Sequence, residues 1–351
     1  MCAPGPHSHT NESPPVILLQ MMTGYWGSQA IYVAAKLGLA DLLKDGPKSG
    51  AELAQATRTH APSLTRLLRA LASIGVLAES EDGRFELTPL GACLQSGVPG
   101  SVRAAAIMFG ETLYRAWSGL LQSVQTGETA FGHVFGTPIY QYFAQHPEAA
   151  AVFNEAMIEM TTQVAAAVVA AYDFSRFGKL VDVGGGYGTL VAAILQATPT
   201  LSGVVLDRPQ VAEGARKYIE AAGLAGRCAV VGGDFFESVP SGGDAYVLKS
   251  IIHAWDDDRS IRILTNCYRV MAGEGPLLLV ERVLPARTSH SSAAQAVTLN
   301  DLNMLVTSGG HERTEAEFRA LFTAAGFTLT RIIATQAPMG FSVIEGVRVD
   351  L

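Results

Sequence analysis

The chain has 351 residues and a mass of 37.0 kDa, more than one ordinary hydrophobic core holds, so its length predicts two globular units. With 48% apolar and 16% charged residues and a mean hydropathy of +0.24, disorder over most of the chain is excluded. A net charge of −7 and a pI near 5.6 give no field for holding phosphates, which excludes nucleic acid and anionic membrane as expected partners and favours an uncharged or compact substrate.

Residues 1–15 carry proline, histidine and polar residues but no basic stretch followed by an apolar one, which predicts a frayed tail rather than a signal peptide. The most apolar later run, residues 164–171, is too short to cross a bilayer, so a soluble, cytoplasmic protein is expected. Cys2, Cys93, Cys228 and Cys267 lie far apart without metal-ligand spacing, which predicts free thiols, no disulfide and no zinc.

Over residues 30–43, Ile31, Ala34, Ala35, Leu39, Leu42 and Leu43 recur at helical intervals, with Gly38 as a weak point in the same pattern. Ser49 followed by Glu52 reads as a capping box opening a short helix. A second helix over residues 62–74 ends at Gly75, and residues 76–88 turn through Glu81-Asp82-Gly83-Arg84 as a hairpin. Helix, turn, helix and hairpin make a winged-helix outline. Between Pro47 and Gln95 five basic residues face five acidic ones, so the local charge is zero where a DNA reader needs an excess of Lys and Arg. An oligomerisation module fits that balance better than a regulator.

Residues 100–172 read as helical. From Leu180 the rhythm changes to short apolar strands at 180–183, 204–207, 229–231, 245–248 and 277–281, alternating with helices and lacking polar alternation, which suits parallel strands covered on both faces. A pair near 328–335 and 341–346 closes the sheet. The first strand runs into Gly184-Gly185-Gly186-Tyr187-Gly188, and a helix starts near Thr189. Glycines there permit a sharp turn and close approach of a ligand to backbone, although the spacing departs from the dinucleotide fingerprint. Asp207 ends the second strand, where an acid accepts ribose hydroxyls, and Gly233-Asp234-Phe235-Phe236 ends the third, where an acid and a ring suit a purine. Helix caps are the alternative for each acid.

The run Leu180 to Gly188, together with Gly233-Asp234-Phe235-Phe236, resembles the S-adenosylmethionine-dependent O-methyltransferases of the caffeic acid O-methyltransferase type, whose bacterial branch acts on aromatic natural products. The resemblance covers nearly the whole chain. It implies an α/β fold: a Rossmann-like class I methyltransferase sheet over residues 176–351, a helical acceptor-pocket segment over 101–175, and a mainly helical winged-helix dimerisation domain over 16–100. It also implies S-adenosylmethionine as cofactor with S-adenosylhomocysteine as product, no metal, and a homodimer. By carry-over, Gly184 and Gly186 face the methionine part of the cofactor, Asp207 its ribose, and Asp234 with Phe235 its adenine; Asp182, Arg208, Gly233 and Lys249 complete the expected contacts.

His253, in Lys249-Ser250-Ile251-Ile252-His253-Ala254-Trp255, falls at the carboxyl end of the fourth strand, and histidine suits a general base near neutral pH. On its residues alone, a core histidine or the cap of a helix starting at Trp255 is the better reading; the resemblance assigns it as the base. Glu281 and Glu312 resemble the two carboxylates flanking that base, with salt bridges to Arg282 and Arg313 as the alternative. The acid that often follows the histidine in the family is Ala254 here. The resemblance places acceptor walls at Met108, Phe109, Trp117, Phe153, Asn154, Met157, Trp255, Asp301, Met304 and Leu305; the Met and aromatic residues among them suit a flat apolar acceptor, here with a phenolic or enolic hydroxyl. N-methylation and cofactor binding without methylation are the nearest alternatives, and a ligand-responsive regulator a more distant one.

Overall fold

The computed structural model describes residues 13–271, 273 and 275–349. Cys2 and most of the expected tail lie outside them, and Pro14 and Pro15 already belong to the first helix. The chain forms two compact units, one ending at Thr112 and one beginning at Leu113.

In the first unit, helix Pro14–Thr23 buries none of its residues and leaves Leu18, Leu19, Met21 and Met22 more than half exposed. Helix Tyr25–Lys36 follows. Gly38, at φ +65°, stops the expected single stripe and divides it into this helix and Leu39–Leu43, because the left-handed conformation is open to glycine at no steric cost. The predicted capping box is present: the Ser49 side chain accepts from the Glu52 N–H, and Glu52 accepts from the Ser49 N–H, at the start of helix Gly50–Thr57. Helix Ala61–Ser73 buries Leu64, Leu68 and Leu71 on one face. Strands β1 (Lys48–Ser49), β2 (Leu77–Glu79) and β3 (Arg84–Leu87) form a small antiparallel sheet in the order β1-β3-β2. The two-residue β1 was too short to read in sequence.

The second unit carries the 25-residue helix Pro147–Ala171 and the main sheet. Its strands are β4 (Lys179–Val183), β5 (Ser202–Asp207), β6 (Cys228–Gly232), β7 (Ala245–Lys249), β8 (Pro276–Leu284), β9 (Arg313–Thr314), β10 (Phe327–Ala334) and β11 (Phe341–Arg348). The order is β10-β11-β8-β7-β4-β5-β6, with β9 pairing the end of β8. β4 to β8 are parallel as expected, whereas β11 runs antiparallel to both β8 and β10, so the sheet is mixed. Leu180 and Val247 join the core on one side of the sheet; Val181, Val183, Tyr246 and Leu248 join the core on the other. Burial on both faces explains the continuous apolar runs. From β4 the chain winds first toward β5 and β6 and then back through β7 and β8, so a crevice opens at the carboxyl ends of β4 and β7, where open α/β sheets bind ligands.

Candidate active site

The first half of the site is backbone. Leaving β4, Gly184, Gly186 and Gly188 take φ values of +71°, +60° and +81°, and helix Thr189–Ala197 begins directly after them. A β-carbon on Gly184 would lie 2.5 Å from Ile251 Cδ1, and one on Gly185 would lie 2.6 Å from the Asp182 carboxylate; both positions are crowded, and at Gly184 the positive φ itself favours glycine. Asp207 holds the turn from the next strand: its Oδ2 accepts from Gly186 N–H at 2.8 Å and its Oδ1 from Arg208 N–H at 2.7 Å. It is therefore not the cap of helix Pro209–Ala221, whose N-cap is Arg208. Asp234, after β6, is exposed, and its Oδ1 accepts from Phe236 N–H at 2.8 Å.

A cavity of about 300 Å³ lies over this turn, within the size range of small-molecule sites. Every expected cofactor residue, Asp182, Gly184, Gly186, Asp207, Arg208, Gly233, Asp234, Phe235 and Lys249, lines it. Asp182 is buried, and its Oδ2 has no hydrogen-bond partner, an acceptor waiting for a donor. Burial, reinforced by the Asp207 charge, pushes its carboxyl up to about 7. Lys249 donates to Thr161 Oγ1 at 3.1 Å; burial draws its ammonium down to about 8 against the pull of Glu281.

The second half is a buried side-chain cluster. His253 sits in the 3-10 turn Ile252–Ala254 beyond β7, Glu281 on β8, and Glu312 just before β9. All three are buried. His253 Nδ1 lies 3.1 Å from Glu312 Oε1 and 3.5 Å from Glu281 Oε2. Glu281 Oε1 accepts from the N–H groups of both Ile251 and Ile252 at 2.9 Å, so the same carboxylate faces the ring and pins the backbone entering its turn. Glu312 Oε1 also accepts from Asn300 Nδ2 at 2.5 Å, and Arg282 Nη1 stands 3.4 Å away.

Burial opposes a charge on His253, but the two carboxylates outweigh it and raise the imidazole above its ordinary value. Glu281 is raised by burial, with the Glu312 charge adding to it against the pull of His253; Glu312 is held low despite burial, because His253, Arg282 and Asn300 stabilise its charged form. An ionised Glu312 can only accept, so Nδ1 carries the proton and Nε2 presents a lone pair. The cluster can take up a proton at a fixed nitrogen.

Four of the ten expected acceptor residues line the cavity: Phe153, Asn154, Met157 and Trp255. Met304 and Leu305 are half-buried off its wall, and Trp117 Nε1 donates to Asn303 Oδ1 at 3.0 Å. Asp301 instead accepts from the Glu312 N–H at 2.8 Å. Met108, buried, and Phe109, exposed, belong to the first unit. The alternative readings are met only in part. Arg282 does approach Glu312, but Arg313 turns away to Asp257 at 2.8 Å. The helix after His253 is capped by Asp256, which accepts from Arg259 N–H, one residue beyond Trp255.

Sequence reasoning missed Tyr140. It lines the cavity, stacks on Trp255 with centroids 5.4 Å apart and lies under the Arg208 guanidinium at 5.3 Å. Burial pushes its hydroxyl up to about 12. Only a cluster of aromatics in its helix marked it in sequence.

The family model of the O-methyltransferase domain matches residues 117–328, and that of the O-methyltransferase dimerisation domain matches residues 19–97. The chain is 53% identical to the phenazine O-methyltransferase PhzM of Lysobacter antibioticus over 94% of its own length and 95% of the relative's. It is 35% identical to the phenazine-1-carboxylate N-methyltransferase of Pseudomonas aeruginosa over 94% and 96% of the two chains. The crystal structure of LaPhzM superposes with a TM-score of 0.92 at 51% identity, covering 96% of this chain and all of that one. Glycine turn, strand-end acids, mixed sheet and both family matches agree: the chain belongs to the S-adenosylmethionine-dependent O-methyltransferase family of the caffeic acid O-methyltransferase type, and it is a methyltransferase with the class I fold.

Proposed function

We propose that this methyltransferase acts on oxygen, at a phenolic or enolic hydroxyl of an aromatic small molecule, with His253 as general base. The observation that carries the reading is the imidazole held at 3.1 Å and 3.5 Å from two buried carboxylates, in a turn flanked by the cavity-lining Ile251 and Trp255, although His253 itself is not among the lining residues. S-adenosylmethionine supplies a methyl group already activated on a sulfonium. Gly184, Gly186 and Asp182 would hold its methionine end, with the unpartnered Asp182 Oδ2 free to accept; Asp207 would take the ribose, and Gly233, Asp234 and Phe235 the adenine, with Arg208 and Lys249 beside them.

The acceptor lies against Phe153, Met157 and Trp255, which exclude water and orient the hydroxyl; such orientation supplies several kcal/mol of a barrier. His253 Nε2 takes the hydroxyl proton as the oxygen becomes a nucleophile. Glu312 and Glu281 stabilise the imidazolium that results, and Asn300, Asp301 and Arg282 keep Glu312 in place. Ligand atoms of His253, Glu281 and Glu312 also come within 4.8 Å of one another, a spacing that suits a metal ion; Arg282 already supplies positive charge there, and the proposed steps need no metal.

The N-methyltransferase relative from Pseudomonas aeruginosa makes nitrogen the second reading. A neutral amine carries its own lone pair and needs no base before it attacks, whereas a phenol does, so the intact His253 cluster favours oxygen. The test is incubation with S-adenosylmethionine and matched phenol and aniline acceptors, read by mass. A one-methyl gain on the phenols alone supports the proposal; a gain on the anilines alone rejects it. The bare apolar face of helix Pro14–Thr23 and the dimerisation-domain match support a homodimer.

A further inference from the structure

Arg313 is the largest fully buried side chain among the described residues, and neither the cofactor cavity nor the base assigns it a role. Its guanidinium donates from Nη1 to the Ile252 carbonyl at 2.9 Å and from Nη2 to the Trp255 carbonyl at 2.9 Å, the two ends of the turn that carries His253. From the other side, Nε and Nη2 bind Asp257 Oδ1 at 3.0 and 2.8 Å. Weaker contacts run to the His311 carbonyl and Ser260 Oγ, each at 3.4 Å. The same segment meets the turn a second time. Gly310 lies flat against it, so closely that a β-carbon would stand 2.2 Å from the His253 carbonyl oxygen and 2.5 Å from the Trp255 nitrogen. Residues 310–313 thus touch the His253 turn three ways: backbone against backbone at Gly310, carboxylate on ring at Glu312, and guanidinium on carbonyls at Arg313.

We infer that Arg313 is a positioning residue for methyl transfer: by holding the Ile252 and Trp255 carbonyls it fixes the turn so that the His253 ring meets Glu312 and Glu281, and Asp257 on the surface fixes Arg313 in turn. The inference rests on the reading of His253 as base. A fork of planar donors is needed for two divergent carbonyls and a carboxylate, which a lysine ammonium cannot span at once. Asp257 is 60% exposed on its side chain, so changing it reaches the turn without opening the core.

The experiment compares Arg313→Lys, Asp257→Asn and His253→Ala for kcat, KM, S-adenosylhomocysteine affinity and the pH dependence of kcat. Arg313→Lys is expected to lose roughly tenfold or more in kcat, with cofactor affinity within twofold of wild type, and Asp257→Asn to lose a fewfold. The acid limb of kcat shifts to lower pH in Arg313→Lys, because a loosened ring leaves Glu281 and Glu312, which raise it, while Arg282 and burial, which lower it, remain. A merely structural lesion lowers the active fraction and leaves that limb in place. Wild-type kcat and an unmoved limb in Arg313→Lys, with His253→Ala inactive, overturn the inference while the base reading stands; an active His253→Ala removes the base reading itself. If Arg313→Lys does not fold, Asp257→Asn decides: kcat equal to wild type, or a loss with the acid limb unmoved, overturns the inference, and a fewfold loss with the limb shifted to lower pH at unchanged cofactor affinity upholds it.

Discussion

The cofactor cradle and the base cluster both lie at the carboxyl ends of central strands but are built in opposite ways. The cradle is local: one glycine-rich turn leaves β4, and a neighbouring strand end ties it down through Asp207 and the Gly186 N–H. The base is non-local, with an imidazole after β7, a carboxylate on β8 and another before β9, brought together in a dry interior where each charge depends on the others. A local device fails one contact at a time. A buried cluster fails together, because removing one member leaves the rest uncompensated.

The largest test of that contrast is His253→Ala. It is expected to lower kcat by roughly 10²- to 10⁴-fold, the range for a positioned general base, while calorimetry finds S-adenosylhomocysteine affinity unchanged. Affinity and turnover falling together would mean that the two regions are one unit. Asp207→Ala probes the other side: losing a charged acceptor for the Gly186 N–H should weaken cofactor binding about ten- to a hundredfold, with kcat at saturating cofactor nearly kept.

Gly310→Ala sits at the join. Its β-carbon meets backbone rather than a flexible side chain, so chemical denaturation should show a loss of about 1–3 kcal/mol, together with lower turnover. The smallest effect is in pH. His253 must be neutral to act and its pKa is raised, so kcat climbs with pH along a limb above the ordinary histidine value near 6.5; Glu281→Gln should move that limb downward. The sign for stability is the reverse: the fold favours the protonated ring, so its contribution is complete below about 6.5 and is lost as pH rises through the folded value.

Legibility followed the same division. The glycine turn, Asp207 and the Ser49–Glu52 box are short-range patterns, and each sits where its spacing put it. His253 was ambiguous on its own residues and gained a role only through resemblance, since its partners lie far along the chain. A salt bridge to Arg313 is the alternative that its place beside the carboxylate offers, but the guanidinium reaches Asp257 and the Ile252 and Trp255 carbonyls instead, contacts 56 to 61 residues away that adjacency does not reveal. Asp301 and Asn300, whose side chains both serve Glu312, show the same blindness: adjacency in sequence says nothing about which group a helix will present to a distant loop. β11 was found as a strand, but its antiparallel insertion beside β8 is a matter of topology that periodicity does not encode.

The bare helix Pro14–Thr23 carries one more consequence. Leu18, Leu19, Met21 and Met22 are open to water among the described residues, and in the proposed homodimer a second copy covers that face, so part of the folding free energy depends on how often chains meet. Stability then becomes a function of concentration: the melting temperature should climb as the protein is concentrated, and on dilution the first unit should lose its structure before the cofactor sheet does.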